Sequence, residues 1–171
     1  MGKYDLSFDL VDRSRQVNQL AAFMRAHRGP YNEVQHNAWL EDICIPGVNS
    51  GERRALAWWQ NGRMIGDAVL KAAGPNTAEL KNFRVASPQW LQGRGLGAFM
   101  LRQATVEATE LLVERGLVSN EANAVTLMLD TLADSSAAAF FAYQGFREVG
   151  RAELYTPGQQ EVIMELEVPL E

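Results

Sequence analysis

The sequence predicts an α/β (α+β) fold in which a sheet of six to seven strands carries about four helices, and three observations predict it. An alternating run is followed by two helical stripes, three further alternating runs are joined by tight turns, and a glycine-rich turn opens a long helix ahead of the closing strands. Strands joined directly by turns argue against a doubly wound sheet, in which helices would alternate with strands throughout. At 171 residues, with 47% hydrophobic and 22% charged residues, the whole span 1–171 is expected to form one domain with a full apolar core.

Residues 4 to 10 alternate (Tyr4, Leu6, Phe8, Leu10) and predict a first strand. From Asp12 the spacing becomes Val17, Leu20, Phe23 or Met24, a helical stripe that stops before Gly29-Pro30. Asn32 followed by Gln35 reads as a helix cap, with Val34, Trp39 and Ile43 on a second helix that ends at Pro46-Gly47. Arg53 to Gln60 and Met64 to Lys71 are strands joined by the hairpin turn Asn61-Gly62. Gly74-Pro75-Asn76 breaks the chain before a fourth strand, Ala78 to Val85.

A polar loop, Ala86 to Leu91, then leads into Gln92-Gly93-Arg94-Gly95-Leu96-Gly97 and a helix that carries Leu101, Ala104, Ala108 and Leu111 on one face and stops at Gly116. Ala124 to Leu129 reads as a buried strand, Asp134-Ser135-Ser136 as a helix N-terminus and Ala137 to Tyr143 as a short helix ending in Gly145-Phe146. Phe146 to Leu154 and Val162 to Val168 are the last strands, with a turn at Thr156-Pro157-Gly158.

The glycine-rich turn carries the chemistry. Where such a turn opens a helix, backbone N–H groups point into one concavity and the helix end adds partial positive charge, which suits a diphosphate. The dinucleotide fingerprint G-x-G-x-x-G fails, because the order here is G-x-G-x-G deep in the chain, and the Gly-Lys-Ser/Thr ending of a nucleotide P-loop is absent.

Gln92, Gly95 and Gly97 do match Q/R-x-x-G-x-G/A, the acetyl-coenzyme A signature of the GNAT superfamily of N-acetyltransferases, and the chain resembles that superfamily. The hairpin Trp59 to Gly66 is similar to the hairpin between the second and third strands that is common in the superfamily. Asp134, Ala137, Phe141, Gly145 and Phe146 stand in the register of its pattern N-x-x-A-x-x-x-Y-x-x-x-G-F, so the resemblance extends from Arg53 to Phe146. It implies the GNAT fold, a mixed and strongly twisted sheet whose fourth and fifth strands splay to admit a pantetheine arm. It also implies that acetyl-CoA (coenzyme A) is bound by Phe83 and Val85 of the fourth strand, by Gln92, Gly93, Arg94, Gly95, Leu96 and Gly97, and by Asp134 and Phe141. The first two helices would form part of the acceptor wall; their own residues show only amphipathic helices.

The reaction implied is acetyl transfer to a primary amine by direct attack in a ternary complex. The amine must be neutral to attack, yet a lysine-like group has a pKa near 10.4, so a proton must be removed. The carbonyl needs donors for its developing charge, for which backbone N–H groups of the fourth strand are suited. In the superfamily pattern a Tyr near the sulfur acts as acid; Phe141 stands there instead and has no proton to give. Tyr143, roughly 200° further round the helix, and Tyr155 are the alternatives. Glu79 is the candidate base, in competition with Lys81 for one site on one strand face, with Asp130 and Asp67 behind them. Asp134 caps the following helix in this reading. Phe141 also motivates a second reading, an acyl-coenzyme A binding module with little or no catalysis, and a third is a non-enzymatic interaction domain using Trp58 or Trp59.

Composition bounds the rest. A net charge of −5 without blocks of like charge argues against nucleic-acid binding and mildly favours a cationic acceptor, a small-molecule or peptide amine. No apolar run is long enough for a membrane span, no secretory signal precedes the first strand, and the single cysteine cannot form an internal disulfide, so a cytoplasmic protein without a membrane partner is expected. Two histidines with one cysteine give no metal spacing, and Cys44 between Ile43 and Ile45 reads as a buried, inert thiol. The resemblance also allows a homodimer through the last strand, for which the sequence itself supplies no interface.

Overall fold

The structure is a computed structural model that describes residues 6–11, 15–86, 93 and 95–170. Its strands are β1 (Leu6–Leu10), β2 (Arg53–Gln60), β3 (Arg63–Gly74), β4 (Thr77–Val85), β5 (Ala124–Leu132), β6 (Arg147–Ala152) and β7 (Glu161–Pro169). Its helices are α1 (Arg15–Ala26), α2 (Glu33–Trp39), α3 (Ile45–Ser50), α4 (Leu96–Glu114) and α5 (Ser136–Tyr143). The strands form one mixed seven-stranded sheet in the order β1-β2-β3-β4-β5-β7-β6. β4 and β5 are parallel, while β1/β2, β2/β3, β5/β7 and β6/β7 are antiparallel. The chain divides into two compact units, the first built from Met1–Lys71 and Asn82–Ala104, the second from Ala72–Lys81 and Thr105–Glu171.

In the first unit the expected hairpin is present: Asn61 and Gly62 adopt φ of 49° and 74°, the left-handed pair that matches strand twist. α1 buries Val17, Leu20, Ala21 and Met24 at helical spacing, and these join Leu40, Cys44, Val48, Ala55, Ala57 and Val69 in one core. Asn32 caps α2, its Oδ1 accepting from Val34 N at 2.9 Å and Gln35 N at 3.3 Å. The second helix does not end at Pro46-Gly47. It passes through a π turn, Leu40–Cys44, in which Ile45 N–H reaches back to Leu40 O, and continues as α3 to a left-handed cap at Gly51. Pro46 occupies the first turn of α3, where a missing N–H costs no hydrogen bond. Gly47 sits where a Cβ would stand 2.7 Å from Arg53 Cδ, so the glycine that resembled a helix stop is a packing requirement.

In the second unit β3 extends to Gly74 and β4 starts at Thr77, and the reversal between them is pinned by Asn76. Asn76 N–H donates to Leu117 O at 2.8 Å, its Oδ1 accepts from Ser119 N at 2.8 Å, and its carbonyl accepts from Thr126 N at 2.7 Å. Asn76 tolerates the φ of 54° that this requires. Ala108, Leu111 and Leu112 of α4 are buried, as are Val125, Leu127 and Leu129 of β5 and Val162 and Met164 of β7. The β4/β5 ladder covers Thr77–Glu79 against Thr126–Met128. Among the described residues, no helix is long and apolar enough to cross a membrane.

Gly66 on β3 sets how closely α4 lies to the sheet in the first unit. A Cβ at Gly66 would collide with Met100 Cε and stand 2.8 Å from the Arg84 carbonyl oxygen. The methionine tip can move but the backbone oxygen cannot. Gly66→Ala should therefore destabilise the fold by about 1–3 kcal/mol, the ordinary cost of overpacking, measured by urea denaturation. An unchanged midpoint would mean that the backbones relax freely there.

Candidate active site

Two stretches of the first unit bear on a coenzyme. Gly93 and Gly95 have φ of 74° and 77°, and among the described residues nothing stands within 4 Å of where a Cβ of either would be. L-side chains resist that conformation, so glycine leaves the backbone amides uncovered. Phe99 N–H donates to Gly95 O at 2.9 Å and closes the first turn of α4. The N–H groups ahead of it, on Leu96, Gly97 and Ala98, have no intrahelical acceptor, and the first turn holds no acidic side chain. The turn thus has the donor set an anion needs. Gln92 and Arg94 lie outside the described residues, as does most of the loop before them. Phe83 and Val85 alternate with Asn82 and Arg84 along β4, and so point to the opposite sheet face.

On the other face of β4 is a polar chain that the sequence reading touched only at Asp67. The Asp67 carboxyl on β3 is fully buried, accepts a hydrogen bond from Asn82 Nδ2 through Oδ2, and has no partner for Oδ1 among the described residues. Asn82 Oδ1 in turn accepts from Arg84 Nε at 2.9 Å. Burial pushes the Asp67 carboxyl up to about 7, against the opposing pull of the Arg84 charge and the Asn82 hydrogen bond. Burial lowers the Arg84 pKa, with the Asp67 and Tyr31 charges opposing. Nearby His36 is lowered by burial and then by Arg84, and Cys44 is pushed up to about 12 by burial, which removes it as a nucleophile.

The second unit holds the other candidate residues. Glu79 pairs with Lys81 two positions along the same strand face, so the competitors for one site are bound to each other. Glu79 is in register with Met128, and Asp130 lies two residues further along β5, which puts both carboxylates on one face. Tyr155 OH donates to Asp130 Oδ2 at 2.8 Å, joining two residues that the sequence reading held apart. Tyr143 closes α5 with 89% of its surface exposed. Phe141 is buried, edge-on to Phe140 and Phe146 at 5.2 and 5.4 Å. The α5 cap is Ser135, whose Oγ accepts from Ala138 N at 3.1 Å, and not Asp134. Asp134 takes φ of 56° instead, which turns its side chain out to Arg151 Nη1 at 3.7 Å.

Sequence spacing shows neither the Asp67–Asn82–Arg84 chain nor the Asp130–Tyr155 pair. The first depends on the relative register of β3 and β4, and the second on where the turn after β6 returns. The only sequence signal for the first is an Asn and an Arg at alternate positions of a strand that also buries Ala78 and Leu80.

A mixed seven-stranded sheet with β4 and β5 parallel at its centre, and a glycine turn between β4 and a long helix, is the fold of the GNAT acetyltransferases. The chain is similar over 95% of its length to 99% of a protein assigned to the GNAT acetyltransferase family from Desulfovibrio desulfuricans, at 17% identity and a TM-score of 0.71. It is similar to the ribosomal-protein-S18-alanine N-acetyltransferase of Escherichia coli at 23% identity, a TM-score of 0.65 and coverage of 98% and 96% of the two chains. It is also similar to the PaiA N-acetyltransferase of Thermoplasma acidophilum in complex with coenzyme A, at 18% identity, a TM-score of 0.60 and coverage of 94% and 98%. No protein-family model and no curated protein sequence matches the chain.

Asp67 makes stability pH-dependent. Its folded-state pKa is raised from 3.8 to about 7, so on raising the pH the unfolded chain gives up this proton first. The contribution is complete below roughly pH 4, is lost through the window up to about pH 7 and is level above it, a fall of roughly a few kcal/mol. Asp67→Asn should remove that fall, so that the stability difference between variant and wild type grows between these limits and then stays flat in urea denaturation. A difference independent of pH would show that Asp67 is ionised throughout.

Proposed function

We propose that the chain transfers an acetyl group from acetyl-coenzyme A to a primary amine by direct attack in a ternary complex. The observation that carries this reading is the strand–turn–helix of the first unit, in which Gly93 and Gly95 hold left-handed backbone conformations with open space at both Cβ positions, immediately before an α4 N-terminus free of acidic side chains. These amides suit a diphosphate, and the fold is that of proteins one of which was solved with coenzyme A.

Bound acetyl-coenzyme A would supply a thioester, an acyl group already activated for attack. The protein's own contribution is to hold it against β4, to offer backbone N–H groups to the charge that develops on the carbonyl oxygen, and to take a proton from the incoming ammonium. The carboxylates that the sequence nominates as base are themselves paired, Glu79 with Lys81 and Asp130 with Tyr155. Tyr155 is also the phenol that a carboxylate orients, whereas Tyr143 faces solvent. A covalent acyl-enzyme has no support, since the single thiol is buried and its pKa is raised. The second reading, a coenzyme-binding module without turnover, is favoured by Phe141, which fills a core position and carries no acid.

Titration calorimetry with acetyl-coenzyme A, and a free-thiol assay over a panel of primary amines, separate the two. Micromolar binding with amine-dependent thiol release is expected. Binding with no amine-dependent release would favour the module, and no binding would remove both. Gly95→Trp should weaken acetyl-coenzyme A binding at least roughly tenfold, about 1.4 kcal/mol, because the side chain both strains the backbone and occupies the phosphate concavity; an unchanged affinity would place the coenzyme elsewhere.

A further inference from the structure

Arg84 is half-buried on the β4 face that carries Asn82, and the packing around it is unusual in what it leaves unused. Its Nε is fixed on Asn82 Oδ1 at 2.9 Å, and Asn82 is fixed in turn on the buried Asp67. Its Nη1 and Nη2 make no hydrogen bond or ion pair with any described residue. Nη1 lies 3.5 Å from where a Cβ of Gly29 would be, and Gly29 is an exposed residue with φ of 69° in the α1–α2 connection. The guanidinium is thus anchored by one edge, with a residue that has no side chain beside its other end. A planar fork held in this way matches a carboxylate in two-point contact.

The charge around it points the same way. Among the described residues the one carboxyl linked to Arg84 is Asp67, and Asn82 stands between them, so no direct ion pair joins the two. The groups that face this cluster from the surrounding elements are Arg28 and Tyr31 of the α1–α2 connection, His36 of α2, Cys44 of the π turn and Arg53 of β2. Arg28 is 3.4 Å from Glu33 in an exposed pair, and burial holds His36 toward its neutral form and Cys44 as a thiol. A site with a half-buried cation and one carboxyl that burial holds partly protonated is short of negative charge, and a ligand carboxylate supplies it.

We propose that Arg84 binds a carboxylate of the acceptor, so that the acceptor class is amines bearing a carboxylate on the same molecule, free amino acids foremost; this rests on the acetyl-transfer reading. Arg84 lies one position before Val85 on the strand proposed to hold the thioester, in the same unit as the glycine turn. An anchor there orients the acceptor without sharing the face of Phe83 and Val85. The remote contact favours one class of amine over its decarboxylated counterpart, and so sets specificity rather than chemistry.

The test compares kcat/KM for lysine against cadaverine and for tyrosine against tyramine, in the full-length protein. The wild type should prefer the amino acid at least roughly tenfold in both pairs, and Arg84→Gln should lower that ratio at least roughly tenfold through KM, about the loss of one charge-assisted contact. Gly29→Asp tests the same point without touching the buried chain, since aspartate tolerates the left-handed conformation and its new carboxylate would stand beside Nη1 and compete with the ligand. No amino-acid preference in the wild type, or a ratio unchanged in both variants, overturns the proposal. Thermal melting with N-acetyltyrosine reads the site without turnover. It should raise the wild-type melting temperature and not that of either variant, and the rise should shrink between pH 6 and pH 8 as Asp67 ionises, a trend that Asp67→Asn abolishes. Arg84-dependent stabilisation with no thiol release from any amine would overturn acetyl transfer and leave the carboxylate site standing; equal melting shifts in wild type and both variants would overturn the site.

Discussion

The constraint on which the first unit depends is a single carboxyl with nowhere to go. Asp67 stands on β3 opposite Ala57 of the neighbouring strand, in a largely apolar interior whose other buried polar groups include His36, Cys44 and Arg53. Burying an ionised carboxylate there is costly, and one amide hydrogen bond offsets only part of that cost. The fold responds in two ways. It holds the proton to higher pH than an exposed aspartate would, and it brings a guanidinium to the far side of Asn82. Once Arg84 is committed to that role its free edge must emerge somewhere, and it emerges beside a glycine. The polar chain, the bare turn at Gly29 and the lowered pKa of His36 are linked responses to one electrostatic problem.

Strand β4 divides the labour by its period of two. Ala78, Leu80 and Asn82 are buried with Arg84 behind them, whereas Glu79, Lys81, Phe83 and Val85 look the other way and are partly or largely open. One strand can therefore present two chemically different surfaces, a buried face that ends in Asn82 and Arg84 and a more open face that carries Glu79, Lys81, Phe83 and Val85. Among the described residues its pairing with β5 spans three residues, Thr77–Glu79, although each strand is nine residues long. Backbone groups released from a ladder need other partners, which is the physical reason a strand can present amides to a ligand at all.

Much of the fold was legible because local chemistry dictates it. Asn61-Gly62 can scarcely be anything but a primed turn, the 3–4 spacing of Leu101, Ala104, Ala108 and Leu111 requires a helix with one buried face, and glycines at 93 and 95 before an apolar stripe mark a helix entrance. Where local reading went astray, a neighbour in space had the deciding voice. Pro46-Gly47 resembles a stop, but a π turn shifts the register so that Pro46 lands in a first turn, and Gly47 is glycine because Arg53 packs on it. Asp134 resembles a cap, but a left-handed backbone hands that task to Ser135.

By itself the sequence determined the order and kind of most elements and the glycine turn that opens α4, since these follow from residue spacing and from which residues tolerate positive φ. It also narrowed the titratable candidates to a handful, Glu79, Lys81, Asp67, Asp130, Tyr143 and Tyr155 among them. Only the tertiary structure decided how these pair: Glu79 with Lys81, Asp130 with Tyr155, and Asp67 through Asn82 to Arg84. Side-chain pairing across 15 or 25 residues depends on strand register and loop return, and burial, which moves the Asp67 carboxyl to about 7, is a property of everything packed around a group and of no residue alone.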